Sequence, residues 1–213
     1  MKPTFLLLLL TSSICFGQSR KGPLSDIRNK YQLIRELVDS NALRQHHTNY
    51  SCEETAEEGT LTFYYNGTEL KHIVHIYKEG HVQFRDEFYV WDNQLFFQYA
   101  IHNIWYKDYE KTKSGKRKLV NVTLTLEERF YFKDREVIKC QFKDFENRSN
   151  SPQRKTQHVR NKNIGCEQAQ EALEKFDILV GYQEQHVADA CDLPRSIKDS
   201  EIHNLIYSSA GIN

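Results

Sequence analysis

The chain repeats one pattern three times without gaps: FYYNGTEL (63–70), FYVWDNQL (88–95) and FYFKDREV (130–137). Each copy begins with two aromatic residues, passes through a short polar turn and ends on an aliphatic residue. Alternating apolar strands joined by Asn-Gly, Asp-Asn or Asp-Arg are typical of β-hairpins. The repeats therefore predict three hairpins that follow one another along an antiparallel meander.

Six strands and three helices are predicted around these turns. The strands are expected near 60–66, 69–77, 81–91, 94–106, 118–133 and 136–144. Apolar residues at three- and four-residue steps predict amphipathic helices over about 25–40, 166–180 and 198–208. The predicted fold is α+β: an N-terminal helix packed on a six-stranded antiparallel β-meander (a curled sheet or partial barrel), followed by a helical C-terminal tail.

The first 17 residues predict a secretory signal peptide. Lys2 gives a basic start, residues 5–10 form a short apolar run, and Cys15 and Gly17 are the small residues before the cleavage site. We therefore expect a secreted or periplasmic protein, with no transmembrane segment after cleavage. The predicted divisions are a signal peptide (1–17), a helix plus β-meander domain (18–146), a linker (147–164) and a helical C-terminal appendage (165–213).

Four cysteines remain after the signal peptide is removed: Cys52, Cys140, Cys166 and Cys191. An even number in an exported protein favours two disulfides, and three pairings are open. We favour Cys166 with Cys191, because that bond would close the helical tail, and Cys52 with Cys140 by elimination. No Cys-x-x-Cys spacing occurs, so no zinc site is predicted.

The composition excludes some classes of protein. Among 213 residues, 27% are charged and 12% are aromatic, which is enough to furnish a core and argues against a disordered chain. Basic and acidic residues number 29 each, and this balance argues against a nucleic-acid binder driven by bulk charge. No nucleophile elbow, phosphate loop or dinucleotide fingerprint occurs, so no cofactor is predicted.

One row of polar side chains is predicted on an otherwise apolar sheet face. When the turns are taken as loops of two to four residues, His72 lies opposite Asp86, Asp86 opposite Tyr99, and Tyr99 opposite Glu128. Cross-strand neighbours stand ~5 Å apart, so each side chain can touch the next. Because unpaired buried carboxylates cost several kcal/mol, the row is either a hydrogen-bonded core network or the lining of a cavity that holds water or ligand.

The cavity interpretation suggests two functions for the same residues. A concave site with aromatic walls and a few polar groups is typical of small-molecule binding. Asp86 and Glu128, two strands apart at ~10 Å, also approach the separation of an inverting glycosidase pair. We predict a non-catalytic binding or interaction module for an unknown small molecule or protein. The alternative is a secreted hydrolase with His72, Asp86 and Glu128 as acid/base groups.

The tip of the longest hairpin concentrates positive charge. The basic residues are Lys111, Lys113, Lys116, Arg117 and Lys118. Such a run is most simply a solvated turn, and the alternative is an attraction for an anionic glycan or a lipid headgroup.

The three hairpins resemble those of small exported bacterial β-meander proteins of unknown function, which are built on YYFDNGKL-like hairpins. The resemblance covers residues 60–144, and there is a fainter similarity to the variant MORN hairpin without its regular glycines. It implies a β-rich exported domain without assigned catalysis, and no functional residue carries over from it.

Overall fold

The computed structural model describes residues 22–53 and 57–182 together with Cys191. The predicted signal peptide and the predicted third helix (198–208) lie outside the described residues. The described chain is an α+β fold in which every strand pairs with the next one in sequence. The elements are α1 (Pro23–Asp39), β1 (Arg44–Cys52), β2 (Glu57–Asn66), β3 (Glu69–Glu79), β4 (Val82–Trp91), β5 (Gln94–Lys111), β6 (Arg117–Lys133), β7 (Glu136–Arg148), a 3-10 helix (Thr156–His158), β8 (Lys162–Asn163) and α2 (Ala169–Tyr182).

The antiparallel meander has eight strands instead of the predicted six. The additional strands are β1 and β8, which form the two edges of the described sheet, and the sheet is not closed. β1 is mostly polar and largely exposed, so a search for apolar alternation does not reveal it. β8 has only two residues, lies inside the predicted linker and pairs with β7.

The three repeats form the predicted hairpins, and their turns have left-handed backbone conformations. Asp92 and Asn93 have φ angles of 50° and 60°, and Asp134 and Arg135 have φ angles of 52° and 65°. Positive φ at both central residues is characteristic of the type I′ turn, whose twist matches that of the flanking strands. In the first repeat the central residues are Gly67 and Thr68, and only Gly67 has a positive φ, 61°, which it adopts readily because it has no Cβ. This is the pattern of a type II′ turn.

A β-bulge interrupts the pairing after each of these turns. The extra residues are Lys71, Phe96 and Ile138, each one position beyond the aliphatic residue that ends its repeat. A bulge places two residues of one strand against one residue of its partner. Every pair beyond it is therefore shifted by one residue, which moves the partner side chain to the other face of the sheet.

This shift corrects the predicted register between β4 and β5. Val90 pairs with Leu95 next to the turn, as predicted. Beyond the bulge Phe88 pairs with Gln98, so the predicted pair of Phe88 with Phe97 is wrong. The sequence pattern does not distinguish these alternatives, because apolar residues occupy both faces of these strands.

Two other turns differ from the prediction in length. β3 and β4 are joined by the two residues Gly80 and His81, and not by a three-residue loop, because Glu79 pairs directly with Val82. The hairpin between β5 and β6 closes at the pair of Lys111 with Arg117. Its loop has five residues, one more than expected. The first change shifts the register by three residues, so that His72 pairs with Tyr89, and the second shifts it by one.

One helix covers each face of the sheet. α1 packs on one face through Ile27 and Ile34, which are buried against rings of β4 and β5. α2 packs on the opposite face through Phe176 and Leu179. We call these the α1 face and the α2 face. The predicted N-terminal helix on the meander is confirmed.

The first two residues of each repeat divide between the two faces. Their phenylalanines are buried on the α2 face: Phe63, Phe88 and Phe130. The tyrosines that follow point to the α1 face: Tyr64, Tyr89 and Tyr131. Burial of each phenylalanine contributes about 1.5–3 kcal/mol to the stability of the fold. The larger of the two core clusters lies on the α2 face.

Two disulfides join the tail to the sheet. Cys52 bonds Cys191 with Cα atoms 5.8 Å apart, and Cys140 bonds Cys166 at 5.5 Å. The predicted number of disulfides is confirmed, and the favoured pairing is wrong. Cys52 lies on β1 and Cys140 on β7, with five strands between them, whereas a disulfide requires Cα atoms within about 7 Å.

Candidate functional site

The four residues of the predicted polar row are divided between the two faces. Asp86 and Glu128 share a row of the α2 face, with Ala100 opposite both of them. His72 and Tyr99 lie on the α1 face, where they pair with residues of β4 and β6 instead. The predicted row is not formed, because the β4–β5 bulge and the longer β5–β6 loop each shift the register by one residue, and the altered β3–β4 turn shifts it by three.

Asp86 is held as a buried carboxylate on the α2 face. Lys175 of α2 donates from Nζ to its Oδ2, and His102 places Nε2 3.8 Å from its Oδ1. Burial alone would raise the pKa of Asp86. The ammonium of Lys175 and the ring of His102 outweigh burial and hold that pKa below its ordinary value, so the carboxylate stays ionised.

Glu128 lies in the same row, but the effect of burial on its pKa is not offset as it is for Asp86. Its side chain is buried, and its Oε2 has no hydrogen-bond partner among the described residues. Burial raises the pKa of Glu128 to about 7; His102 opposes the rise, and the carboxylates of Asp86 and Glu171 add to it. Glu128 is therefore divided between its protonated and ionised forms near neutral pH.

A second set of polar contacts continues this network toward β1. Tyr50 donates from Oη to Oε1 of Glu57 at 2.5 Å, and Nε2 of His75 lies 2.6 Å from the same Oη. Gly59 faces the Tyr50 ring, where a Cβ would stand 2.2 Å from Cζ. His75 in turn pairs with Asp86 across β3 and β4.

These buried groups form what we call the α2-face cluster. Its members are Tyr50, Glu57, His75, Asp86, His102, Glu128 and Lys175. Each member is buried, and α2 closes the region from above through Lys175. Hydrogen bonds join Tyr50 to Glu57 and Lys175 to Asp86, and the cluster includes only Asp86 and Glu128 of the predicted row.

The α1 face carries a row of aromatic rings in contact across five strands. His72 is stacked between Tyr64 and Tyr89, with ring centroids 5.2 and 4.3 Å away. Tyr89 continues to Phe97 at 5.6 Å, and Phe97 continues to Tyr131 at 5.0 Å. Burial lowers the pKa of His72, although the carboxylate of Glu87 opposes this change. His72 is therefore a neutral member of an aromatic row.

Tyr99 lies beside this row and is tied to charged neighbours. It donates from Oη to Oε2 of Glu127 at 2.5 Å, and the guanidinium of Arg129 lies 4.5 Å from its ring centroid. Arg129 also donates to Glu127 at 2.6 Å and to Asn161 at 2.8 Å. Burial and the Glu127 carboxylate raise the pKa of Tyr99 well above its ordinary value. Tyr99 is therefore a fixed, neutral ring.

Next to Tyr99 the α1 face opens into a groove of about 270 Å³ beside α1. We call it the α1 groove. Its lining residues are Ile27, Arg28, Tyr31, Phe97, Tyr99, Arg129 and Tyr131. Four rings and two guanidinium groups thus surround a space that reaches solvent next to the exposed Arg28. Tyr99 is the one member of the predicted site that lines it.

A larger depression of about 530 Å³ lies where the turns of the second and third repeats meet the start of α1. It is lined by turn residues such as Asp92 and Asp134 together with Lys30 and Lys133. Charges of both signs line this surface, so it does not favour one class of ligand as clearly as the α1 groove does.

Some of these residues were missed by sequence reasoning. Lys175 lies three residues after Ala172 and four before Leu179, so helical spacing already places it on the apolar side of α2. Arg28 and Arg129 gave no such signal, because an isolated arginine on a helix or strand is usually a solvated residue.

Among the described residues, no group of three or more His, Cys, Asp or Glu side chains is arranged to bind a metal ion. Neither described helix has the length and apolar character needed to cross a membrane. Comparisons with protein-family models, with curated proteins and with solved structures found no match to this chain. Any function must therefore be argued from the geometry of the chain itself.

Proposed function

We propose that the protein is an exported, non-catalytic binding protein whose ligand occupies the α1 groove. The observation that carries this proposal is the convergence of four aromatic rings and two guanidinium groups on one opening to solvent. Small-molecule sites commonly combine aromatic walls with a few polar groups that orient the ligand. Export is supported by the N-terminal signal pattern and by the two disulfides, which persist in oxidising compartments.

The lining favours a planar ring that bears an anionic group. Tyr31, Phe97 and Tyr131 offer ring faces and edges for stacking. Arg129 is already held by Glu127 and Asn161, so its contribution is to orient the Tyr99 ring and to add positive charge. Arg28 is exposed, and its planar guanidinium suits a ligand carboxylate.

The size of the groove limits the ligand further. A volume of about 270 Å³ is close to the lower end of the range for small-molecule sites, roughly 300–1,000 Å³. A ligand of one or two rings is the size that fits. Aromatic carboxylates such as benzoate, 4-hydroxybenzoate and indole-3-acetate are suitable probes.

The hydrolase alternative has less support. His72 lies on the opposite face of the sheet from Asp86 and Glu128, so the three groups do not face one substrate. Asp86 and Glu128 are each only 1% exposed and lie beneath α2. The burial of these two carboxylates is explained by their place in the α2-face cluster.

Isothermal titration calorimetry with the three aromatic carboxylates and their uncharged amides tests the proposal. We expect the acids to bind and the amides to bind at least tenfold more weakly, because a hydrogen bond to a charged group is worth about 1.5–3 kcal/mol. Arg28→Gln should weaken binding of the acids by a similar factor. Arg117→Gln, which removes the same charge from the distant β5–β6 hairpin, is the matched control and should leave binding unchanged.

Two results would contradict the proposal. One is the absence of heat with all three acids at millimolar concentration. The other is an equal loss of binding in Arg28→Gln and Arg117→Gln, which would indicate a general effect of net charge and not a contact in the groove.

A further inference from the structure

The hairpin of β5 and β6 extends beyond the rest of the sheet. The backbone N–H of Trp105 donates to the carbonyl of His81 at 3.0 Å, and this is the last backbone hydrogen bond of β5 to the β4 side among the described residues. Six further residues of β5, 106–111, continue past it, which corresponds to about 20 Å at roughly 3.3 Å per residue. We call residues 105–123 the arm.

The two acidic residues of the arm point to its α2 side and are held there by hydrogen bonds from residues outside the arm. Arg148 donates to Oδ2 of Asp108 at 3.0 Å and to Oε1 of Glu110 at 3.1 Å. Asn150 also donates to Glu110, at 2.5 Å. The negative charge of the arm is therefore committed to contacts within the fold.

The opposite side of the arm combines apolar and basic residues, and we call it the arm face. Its large apolar side chains are exposed: Trp105 by 39%, Tyr109 by 65% and Leu119 by 45%. Its basic residues, also exposed, are Lys107, Lys111 and Arg117. Strand pairing places Tyr109 directly opposite Leu119 and Lys111 opposite Arg117, so apolar and basic rows follow each other along the arm.

Other cations surround the arm face. Lys78 of β3 holds Nζ 5.9 Å from the centroid of the Trp105 ring. Lys113 and Lys116 lie in the loop at the tip, and no acidic residue occurs between Lys111 and Lys118. The arm face and tip are therefore uniformly positive.

We propose that the arm face docks the protein on the surface of an anionic lipid bilayer. Tryptophan and tyrosine prefer the boundary between water and hydrocarbon, and a leucine between them supplies apolar area for insertion. Each lysine or arginine near an anionic bilayer strengthens binding about fivefold. A soluble polyanion would attract the same cations but would gain nothing from the exposed leucine. The combination therefore favours a lipid surface over a glycan.

The experiment uses the mature chain produced without glycosylation, because Asn121 on the arm face begins an N-x-T sequon. Binding is measured by sedimentation with vesicles of phosphatidylcholine alone and with vesicles that contain one quarter phosphatidylglycerol. We expect binding to the anionic vesicles only, weakened strongly when salt is raised from 0.1 to 0.5 M. The triple variant Lys107→Gln/Lys111→Gln/Arg117→Gln should lose about 100-fold in affinity.

A second readout separates insertion from simple charge attraction. Trp105 fluorescence should shift to shorter wavelength on anionic vesicles, and the shift should disappear in Trp105→Phe while vesicle binding persists. Leu119→Ser should weaken vesicle binding and leave any binding to heparin unchanged. Arg28→Gln, which changes the α1 groove and not the arm, is the matched control and should bind vesicles like the unmodified chain.

Three outcomes would overturn the proposal. The first is no binding to anionic vesicles at millimolar lipid by a chain with native circular dichroism. The second is equal binding by the triple variant and the unmodified chain. The third is vesicle binding that is indifferent to Leu119→Ser and matched in strength by heparin, which would identify a polyanion as the partner.

Discussion

The two faces of the sheet differ in where their charged residues meet solvent. On the α2 face, ionisable groups are closed off beneath a helix and bind one another, as Lys175 binds Asp86. On the α1 face, charged groups such as Arg129 hold aromatic rings in place around an opening to solvent. The same repeats supply both faces, a phenylalanine to one and a tyrosine to the other. Charge on the α2 face is therefore engaged within the core, and ligand binding is best sought on the α1 face, where rings and cations meet solvent.

The largest expected effect comes from breaking the enclosed ion pair. Lys175→Met removes the ammonium and leaves Asp86 charged beneath α2. Breaking a buried pair by removing one partner costs about 3–5 kcal/mol in the free energy of unfolding. Urea unfolding at pH 7 measures this loss.

A matched control lies two residues further along the same helix, on its exposed side. Arg135 donates to Asp177 of α2 at 2.9 Å in an exposed pair, for which Arg135→Met should cost at most about 1 kcal/mol. A comparable loss in the two variants would mean that enclosure beneath α2 does not distinguish the pairs.

The second effect is a dependence of stability on pH that originates in Glu128. Its pKa is about 7 in the fold against an ordinary value of 4.5. The folded state therefore holds the proton while the unfolded state releases it, and stability is full below pH 4.5 and falls as pH rises through 7. At 1.36 kcal/mol per pKa unit the loss is roughly 3 kcal/mol.

Glu128→Gln checks this sign directly. The variant should be more stable than the unmodified chain at pH 8 and similar to it at pH 4, as measured by urea unfolding at both values. Glu174→Gln, on an exposed position of α2, should show no such crossover. A Glu128→Gln variant that is equally displaced at pH 4 and pH 8 would contradict the assignment.

The smallest effect is expected on the α1 face. Tyr99→Phe removes one hydroxyl that donates to Glu127, and Glu127 keeps Arg129 and Lys143 as partners. The loss should be about 1 kcal/mol. Thermal unfolding measures it, with Tyr109→Phe on the exposed arm as the reference. If Tyr99→Phe lowered the stability as much as Lys175→Met does, the two faces would not differ in what their charged contacts contribute to stability.

Much of the fold could be predicted because it depends on local signals. The three repeats carry their own turn residues, such as Asp92 and Asn93, and α1 shows helical spacing. The edge strand β1 could not be predicted because it is polar, and β8 could not be predicted because two residues are too few to show a pattern. The disulfide pairing could not be derived, because it depends on which strands lie at the edges of the sheet.

The candidate site was harder to predict because it depends on register. One extra residue in each hairpin, such as Phe96, moves every later partner to the other face. Asp86 and Glu128 still share a row, because two one-residue shifts separate their strands and the second cancels the change of face made by the first. His72 and Tyr99 do not join them. A bulge has no composition signal strong enough to be read from one sequence, so the row could not be placed from alternation alone.

The most direct test of the account is a map of backbone amide shifts by NMR during titration with 4-hydroxybenzoate. We predict changes at Ile27, Tyr99 and Tyr131, which line the α1 groove, with Asp86 and Lys175 on the α2 side unaffected. Changes centred on Asp86 and Lys175 would place the ligand among the enclosed carboxylates and contradict the proposed site.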